Sequence, residues 1–288
     1  VPHSSIQNRL TLGFSPCPND TFIFHALVHG KPCAEAPNFA EPTLADVETL
    51  NEWALAGRLD VTKLSFHALG HVLDQYVLLT AGSALGRGCG PLLVARENFP
   101  VAALPSLTIA IPGTYTTAAL LLRMYSPDVL TTRVMRFDEI MPAIVAGEVD
   151  AGVIIHESRF TFQEHGLQLL QDLGAWWEMG TGVPIPLGGI AAKRSLGKEK
   201  IQAIDRCIQA SVTAAFASPE KGMSYIRLHA GELDDKVIRD HIGLYVNSFS
   251  LDLGVEGTAA VREFLERGRQ LRLFPTQYSR LPLTSNEL

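Results

Sequence analysis

The 288-residue chain has no apolar run of the roughly 18 to 20 residues that span a bilayer, because Asp, Arg, Gly or Pro interrupts every hydrophobic stretch first. Membrane-spanning helices are therefore not expected, and no membrane partner is. Basic residues are in deficit, with 24 Lys and Arg against 30 Asp and Glu. The resulting net charge of -6 gives no electrostatic footprint for nucleic acid. Cysteine is scarce: Cys17, Cys33, Cys89 and Cys207 are widely spaced with no CxxC, which suits neither a disulfide framework nor a structural zinc site. Four reduced thiols are the expectation. No GxxxxGK[ST] loop occurs, which argues against a P-loop nucleotide site. His67 and His71 stand four apart, but no Glu follows His67 and no third ligand is evident, so no metal is expected. Gly86-Arg87-Gly88-Cys89-Gly90 is glycine-rich yet leads into the apolar stretch Pro91 to Val94, not into a helix, so it reads as a hinge or tight turn. Val1 to Arg9 carries no apolar core of a secretory signal, which favours the cytoplasm.

What the chain does have is apolar material, 47% against 19% charged, enough for buried sheets in two medium domains. Leu10 to Phe14 reads as a strand, ended by Ser15-Pro16-Cys17-Pro18 and followed by a helix through TFIFHAL. Leu44 to Ala56 has helical spacing and stops at Gly57, and Asp60 to Leu64 reads as a strand. Strand and helix alternating in this way imply an α/β fold built on parallel sheets. The same units recur: Leu107 to Ile111 before Pro112-Gly113 mirrors Leu10 to Phe14, and Ala146-Gly147-Glu148-Val149-Asp150 mirrors Ala56-Gly57-Arg58-Leu59-Asp60. From Ser195 onward the chain turns helical. The economical arrangement has residues 1–103 and 190–288 as a larger, discontinuous domain and 104–189 as an inserted one. The two crossings then form a hinge.

In open α/β sheets, ligands collect beyond the carboxyl ends of the strands, where helix N-termini present free N–H groups. Four segments meet that description: Ser15 to Asp20, including Asn19 and Asp20; Lys63-Leu64-Ser65; Thr114 to Ala118, including Thr116, Thr117 and Ala118; and His156-Glu157-Ser158. The serines and threonines equally suit plain helix capping. Lys63 reads either as a surface charge or as an anion partner. His156 directly follows Val153-Ile154-Ile155, where a buried strand reaches the cleft, and an imidazole there suits general-base work near neutrality. A histidine satisfied by a local hydrogen bond is the alternative. Cys17 reads as a structural thiol, and Trp176-Trp177 as core or as the wall of an aromatic site.

Several strings resemble one family: GFSPCPNDTFIFHAL at 13–27, DVETLN at 46–51, TKLS at 62–65, GRGCGPL at 86–92, TTA at 116–118, IIHESRFTF at 154–162, DLGAWWE at 172–178 and YVNSFSLDLG at 245–254. They are similar, in order and over nearly the whole chain, to the 1,4-dihydroxy-6-naphthoate synthase family of the futalosine route to menaquinone. The resemblance implies a two-domain periplasmic-binding-protein-like (type II) fold. It also implies a cofactor-independent carbon–carbon lyase acting on a small molecule, cyclic dehypoxanthine futalosine, with no obligatory protein partner. It places the general base on His156 and substrate contacts on Lys63, Leu64, Ser65, Thr117 and Ala118. The competing readings are a solute-binding protein of the same fold, separable by the absence of turnover, and a chorismate dehydratase-like sibling enzyme.

Overall fold

A computed structural model of the chain describes residues 9–30, 32–33, 37–230, 234–275 and 280–288. The expectation about a leader therefore falls, apart from Arg9, outside the described residues.

Leu12–Phe14 forms β1, buried throughout, and Pro16, with no N–H to give a ladder, lies just beyond it. Pro18 then sits at the first turn of α1 (Pro18–His29), where a missing N–H does no harm. β2 (Thr43–Leu44) pairs parallel to β1. Asp46 accepts hydrogen bonds from the N–H groups of Glu48 and Thr49 and so starts α2 (Val47–Leu55). β3 (Val61–Ser65), α3 (Phe66–Val72), β4 (Tyr76–Leu78) and β5 (Ala84–Gly86) follow. The chain then builds β6 (Leu92–Ala95), β7 (Ile109–Ile111), α4 (Thr117–Tyr125), β8 (Thr132–Val134), α5 (Phe137–Ala146) and β9 (Ala151–Ile154). After a short α6 (Ser158–Thr161) come β10 (Gln168–Asp172), α7 (Leu173–Thr181) and the nine-residue β11 (Ile185–Lys193). The rest is helical: α8 (Lys198–Ala217), α9 (Met223–His229), α10 (Asp235–Tyr245), α11 (Ser248–Leu251) and α12 (Gly254–Gln270).

These strands form two sheets, ordered β2-β1-β3-β11-β4 with β5 also on β11, and β10-β6-β9-β7-β8. The parallel pairs expected from strand–helix alternation are β2-β1-β3 and β9-β7-β8. Antiparallel pairs enter where the chain crosses: β11 against β3, β4 and β5, and β6 against β9 and β10. Both sheets are thus mixed. Sheet membership also differs from the expected division at 103/104 and 189/190. β6 belongs to the second sheet and β11 rejoins the first from Ile185, so the crossings lie at 87–91 and just before 185. β6 is buried along its whole length, and an all-apolar strand does not reveal from sequence which sheet will hold it.

One face of the first sheet packs Phe14, Val61 and Ile190 on Phe24 of α1 and on Ile204, Ile208 and Val212 of α8. The other shares a core with the second sheet through Leu64, Ile109 and Val153, covered by α3, α4 and Phe264 of α12. Trp177 is completely enclosed in that core, edge-on to Phe264, while Trp176 lies against Tyr125; neither lines the cleft.

The expectation of four reduced thiols is corrected. Cys33 and Cys207 form a disulfide, with Cα atoms 5.6 Å apart, and only Cys17 and Cys89 are free. The pair is 174 residues apart in sequence and meets because α8 packs on α1. No local spacing records such a contact.

Candidate active site

All four chosen strand ends converge on one cavity between the sheets. Asn19 and Asp20 line it from the first turn of α1, Lys63 to Ser65 from the end of β3, Thr116 to Ala118 from the start of α4, and His156 from just beyond β9. Its volume is about 90 Å³, well below the roughly 300–1,000 Å³ usual for small-molecule sites.

The buried polar groups form a continuous network. Lys63 Nζ is 2.7 Å from Asp20 Oδ1, with both side chains almost fully enclosed. The Lys63 ammonium is thus an anion partner, the anion being the protein's own. Asp20 Oδ2 accepts from the Ser15 hydroxyl at 2.7 Å and the Ser15 N–H at 3.2 Å, and Oδ1 also accepts from Asn19 Nδ2 at 2.9 Å. Such a fully paired interior charge is tolerated; removing one partner would leave an uncompensated ion.

Capping, the plain reading of the serines and threonines, holds for one of three. Thr116 Oγ1 accepts from the Ala119 N–H at 3.2 Å and caps α4. Ser65 makes no cap: its N–H donates to Asn51 Oδ1 at 2.8 Å and its hydroxyl accepts from Asn51 Nδ2 at 3.1 Å. Thr117 Oγ1 donates to the carbonyl of Leu187 on β11 at 2.5 Å, tying α4 to the returning strand. The backbone N–H groups of Thr117 and Ala118 have no acceptor among the described residues. They open a helix into the cavity and suit a hydroxyl or a carboxylate.

His156 has φ 56°, the left-handed region that a side chain bearing a Cβ occupies at a cost of about 1–3 kcal/mol. The turn is supported by Arg159, whose Nη1 donates to the Gly90 carbonyl at 2.6 Å and whose Nη2 donates to Asp172 at 2.7 Å. Cys17 Sγ lies 3.8 Å from His156 Nε2. Burial pushes the Cys17 thiol far up, so it keeps its proton. Burial also lowers the pKa of His156, with Lys63 adding to the effect and Glu157, Asp20 and Asp46 opposing it. The ring is therefore neutral near pH 7. Glu157 makes no hydrogen bond to it among the described residues and acts on it only through its charge.

Three groups at the site are not among the residues expected from the sequence. Tyr245 lines the cavity and His241 lies beside it, ring centroids 4.7 Å apart, on α10. Tyr245 opens one of the strings that carry the resemblance; nothing in the sequence singled out His241. Glu48, from α2, accepts the Tyr115 N–H at 2.9 Å across the cleft, and a Cβ on Gly113 would lie 2.3 Å from its carboxyl carbon. His67, expected to bind no metal, serves instead as a contact between the domains. Its Nδ1 is 3.1 Å from the Thr116 carbonyl, and burial lowers its pKa to about 4.

Residues 10–270 match the family model described as menaquinone biosynthesis. The chain belongs to this family. It is 56% identical over 255 residues to the "1,4-dihydroxy-6-naphtoate synthase" of Thermus thermophilus, covering 88% of this chain and 92% of that one. To the Streptomyces coelicolor protein of the same name it is 47% identical over 274 residues, covering 93% and 95%. A solved structure from Archaeoglobus fulgidus superposes with TM-score 0.86 at 32% identity, over 95% of this chain and 100% of that one. The alkanesulfonate-binding protein of Xanthomonas axonopodis pv. citri superposes with TM-score 0.71 at 14% identity, over 96% and 97%. At that distance it shares the fold alone: the chain is a periplasmic-binding-protein-like two-domain protein within a family of menaquinone-pathway enzymes.

Proposed function

We propose that this protein is a 1,4-dihydroxy-6-naphthoate synthase, a lyase that converts cyclic dehypoxanthine futalosine to 1,4-dihydroxy-6-naphthoate, with His156 as general base. The observation that carries the reading is a neutral, half-buried imidazole held in a left-handed turn at the cavity wall, in a chain 56% identical to the Thermus enzyme. The His156 imidazole takes a proton from the substrate, the electron pair released breaks a carbon–carbon bond and passes into the ring system, the former ribose leaves as a small sugar-derived product, and the skeleton left behind becomes an aromatic naphthalene. Aromatisation supplies the driving force, so the residues need only orient, accept the proton and exclude water. Lys63, Leu64 and Ser65 bound the substrate from the first domain. Thr117 and Ala118 offer it their free N–H groups from the second.

The decisive experiment incubates purified protein with cyclic dehypoxanthine futalosine and follows naphthoate formation by mass. Turnover separates a synthase from a binding protein of the same fold. His156→Asn should lower kcat by about 10²- to 10⁴-fold with substrate affinity within a few-fold of the parent. A variant with near-normal kcat would remove His156 from the role of base.

A further inference from the structure

The reaction uses one imidazole, yet a second stands directly behind it. His241 is completely buried and does not line the cavity. Its ring lies nearly parallel to that of His156, 16° between planes and 6.0 Å between centroids. On another side Phe137, from α5, meets His156 edge-on at 4.9 Å. The proposed base, carried by the second sheet, is thus held between a ring of its own domain and a ring of the other.

The hydrogen bonds fix which nitrogen of His241 carries its proton. Asn19 Nδ2 is committed to Asp20 Oδ1 at 2.9 Å, and that carboxylate is paired with Lys63. Asn19 Oδ1 is therefore an acceptor, and it lies 2.9 Å from His241 Nε2, which must donate. In a neutral ring Nδ1 is then left with a lone pair, and it has no hydrogen-bond partner among the described residues. Burial, followed by His156 and Lys63, holds His241 well below the usual imidazole pKa. The groups facing it are Asn19, His156, Lys63 and Tyr245, and no carboxylate is in hydrogen-bonding reach among the described residues. Packing alone does not call for an imidazole here, since an apolar side chain would fill the space without enclosing an unpaired nitrogen.

We propose that His241 is a positioning residue for His156: fixed by Asn19 as the neutral Nε2–H tautomer, it is the first-domain seat on which the base rests when the cleft closes. It sets the direction of the His156 lone pair and places no second charge beside the imidazolium formed during turnover. This rests on the reading of His156 as base.

The test pairs His241→Leu, which removes both ring and donor, with His241→Gln, which returns an N–H donor toward Asn19. With cyclic dehypoxanthine futalosine as substrate, His241→Leu should lower kcat by about 10- to 100-fold with KM changed less than about threefold, and His241→Gln should recover most of the loss. ¹⁵N-histidine spectra of the unmodified protein supply a readout that needs no variant to fold. They should show His241 as a single Nε2–H tautomer that does not titrate between about pH 5 and 8. If His241→Leu keeps kcat within about twofold of the parent while His156→Asn is inactive, the seat is wrong and the base stands. An Nδ1–H tautomer, or titration of His241 within that range, also overturns it. If His156→Asn itself turns over normally, it is the assignment of the base that fails.

Discussion

At the residue scale, pH exposes the site most directly. With His156 as the proposed base, turnover requires it neutral, and burial lowers its pKa from the usual 6.5. The acid limb of kcat/KM should therefore fall below pH 6.5, with rate lost as pH drops through the shifted pKa. A half-maximal point at or above 6.5 would show that burial does not act on the group being titrated. Stability has the same sign for His67, His156 and His241. Their folded pKa values are depressed, so the unfolded chain binds more protons, and stability present above pH 6.5 is lost as pH falls towards the folded values. For His67, lowered from 6.5 to about 4, the amount lost across that window is on the order of 3 kcal/mol. His156 itself was legible in the sequence because a polar residue ending an apolar strand is conspicuous. His241 was not: a histidine on an amphipathic helix looks the same whether it faces water or another histidine 85 positions earlier.

At the element scale, the crossings decide how the site is held. Gly90, on the way from β5 to β6, passes so close to α7 that a Cβ there would lie 2.3 Å from the Gly174 Cα and 2.5 Å from its nitrogen. Backbone cannot yield as a side chain can. Gly90→Ala should therefore cost about 1–3 kcal/mol by overpacking, read as a lower midpoint in thermal unfolding. The Gly90 carbonyl also accepts from Arg159, so the shift should reach the His156 turn and lower kcat in the same variant. An unchanged midpoint would mean the crossing has slack that the structure does not show. The elements themselves were mostly readable: a cap at Thr116 and left-handed Gly57 mark ends that the sequence also marks, while α2 starts at the Asp46 cap and not at Leu44, and Pro18 opens α1 where the sequence reads a turn. What could not be read was partnership. β6 is equally apolar in either sheet, and Cys33 finds Cys207 through helix packing.

At the scale of the whole molecule, the cavity is lined from both domains, so parting of the domains would widen it and their return would enclose a bound substrate. Glu48 is placed to hold the returned state. Its carboxylate reaches from α2 to the Tyr115 N–H at 2.9 and 3.2 Å, while Asn51 donates to it from behind at 3.1 Å. The side chain is half-buried, and burial raises its pKa, partly offset by those hydrogen bonds. A charge-assisted hydrogen bond of this kind contributes about 1.5–3 kcal/mol, so losing it shifts the balance between closed and open forms by roughly 10- to 100-fold. Glu48→Ala should therefore enlarge the radius of gyration seen by small-angle scattering of the free protein. It should also raise KM in proportion to the lost closed population, with kcat affected less, because His156 and its neighbours are untouched. If scattering and KM both match the parent, closure is governed elsewhere, through contacts such as His67 with the Thr116 carbonyl and Thr117 with Leu187.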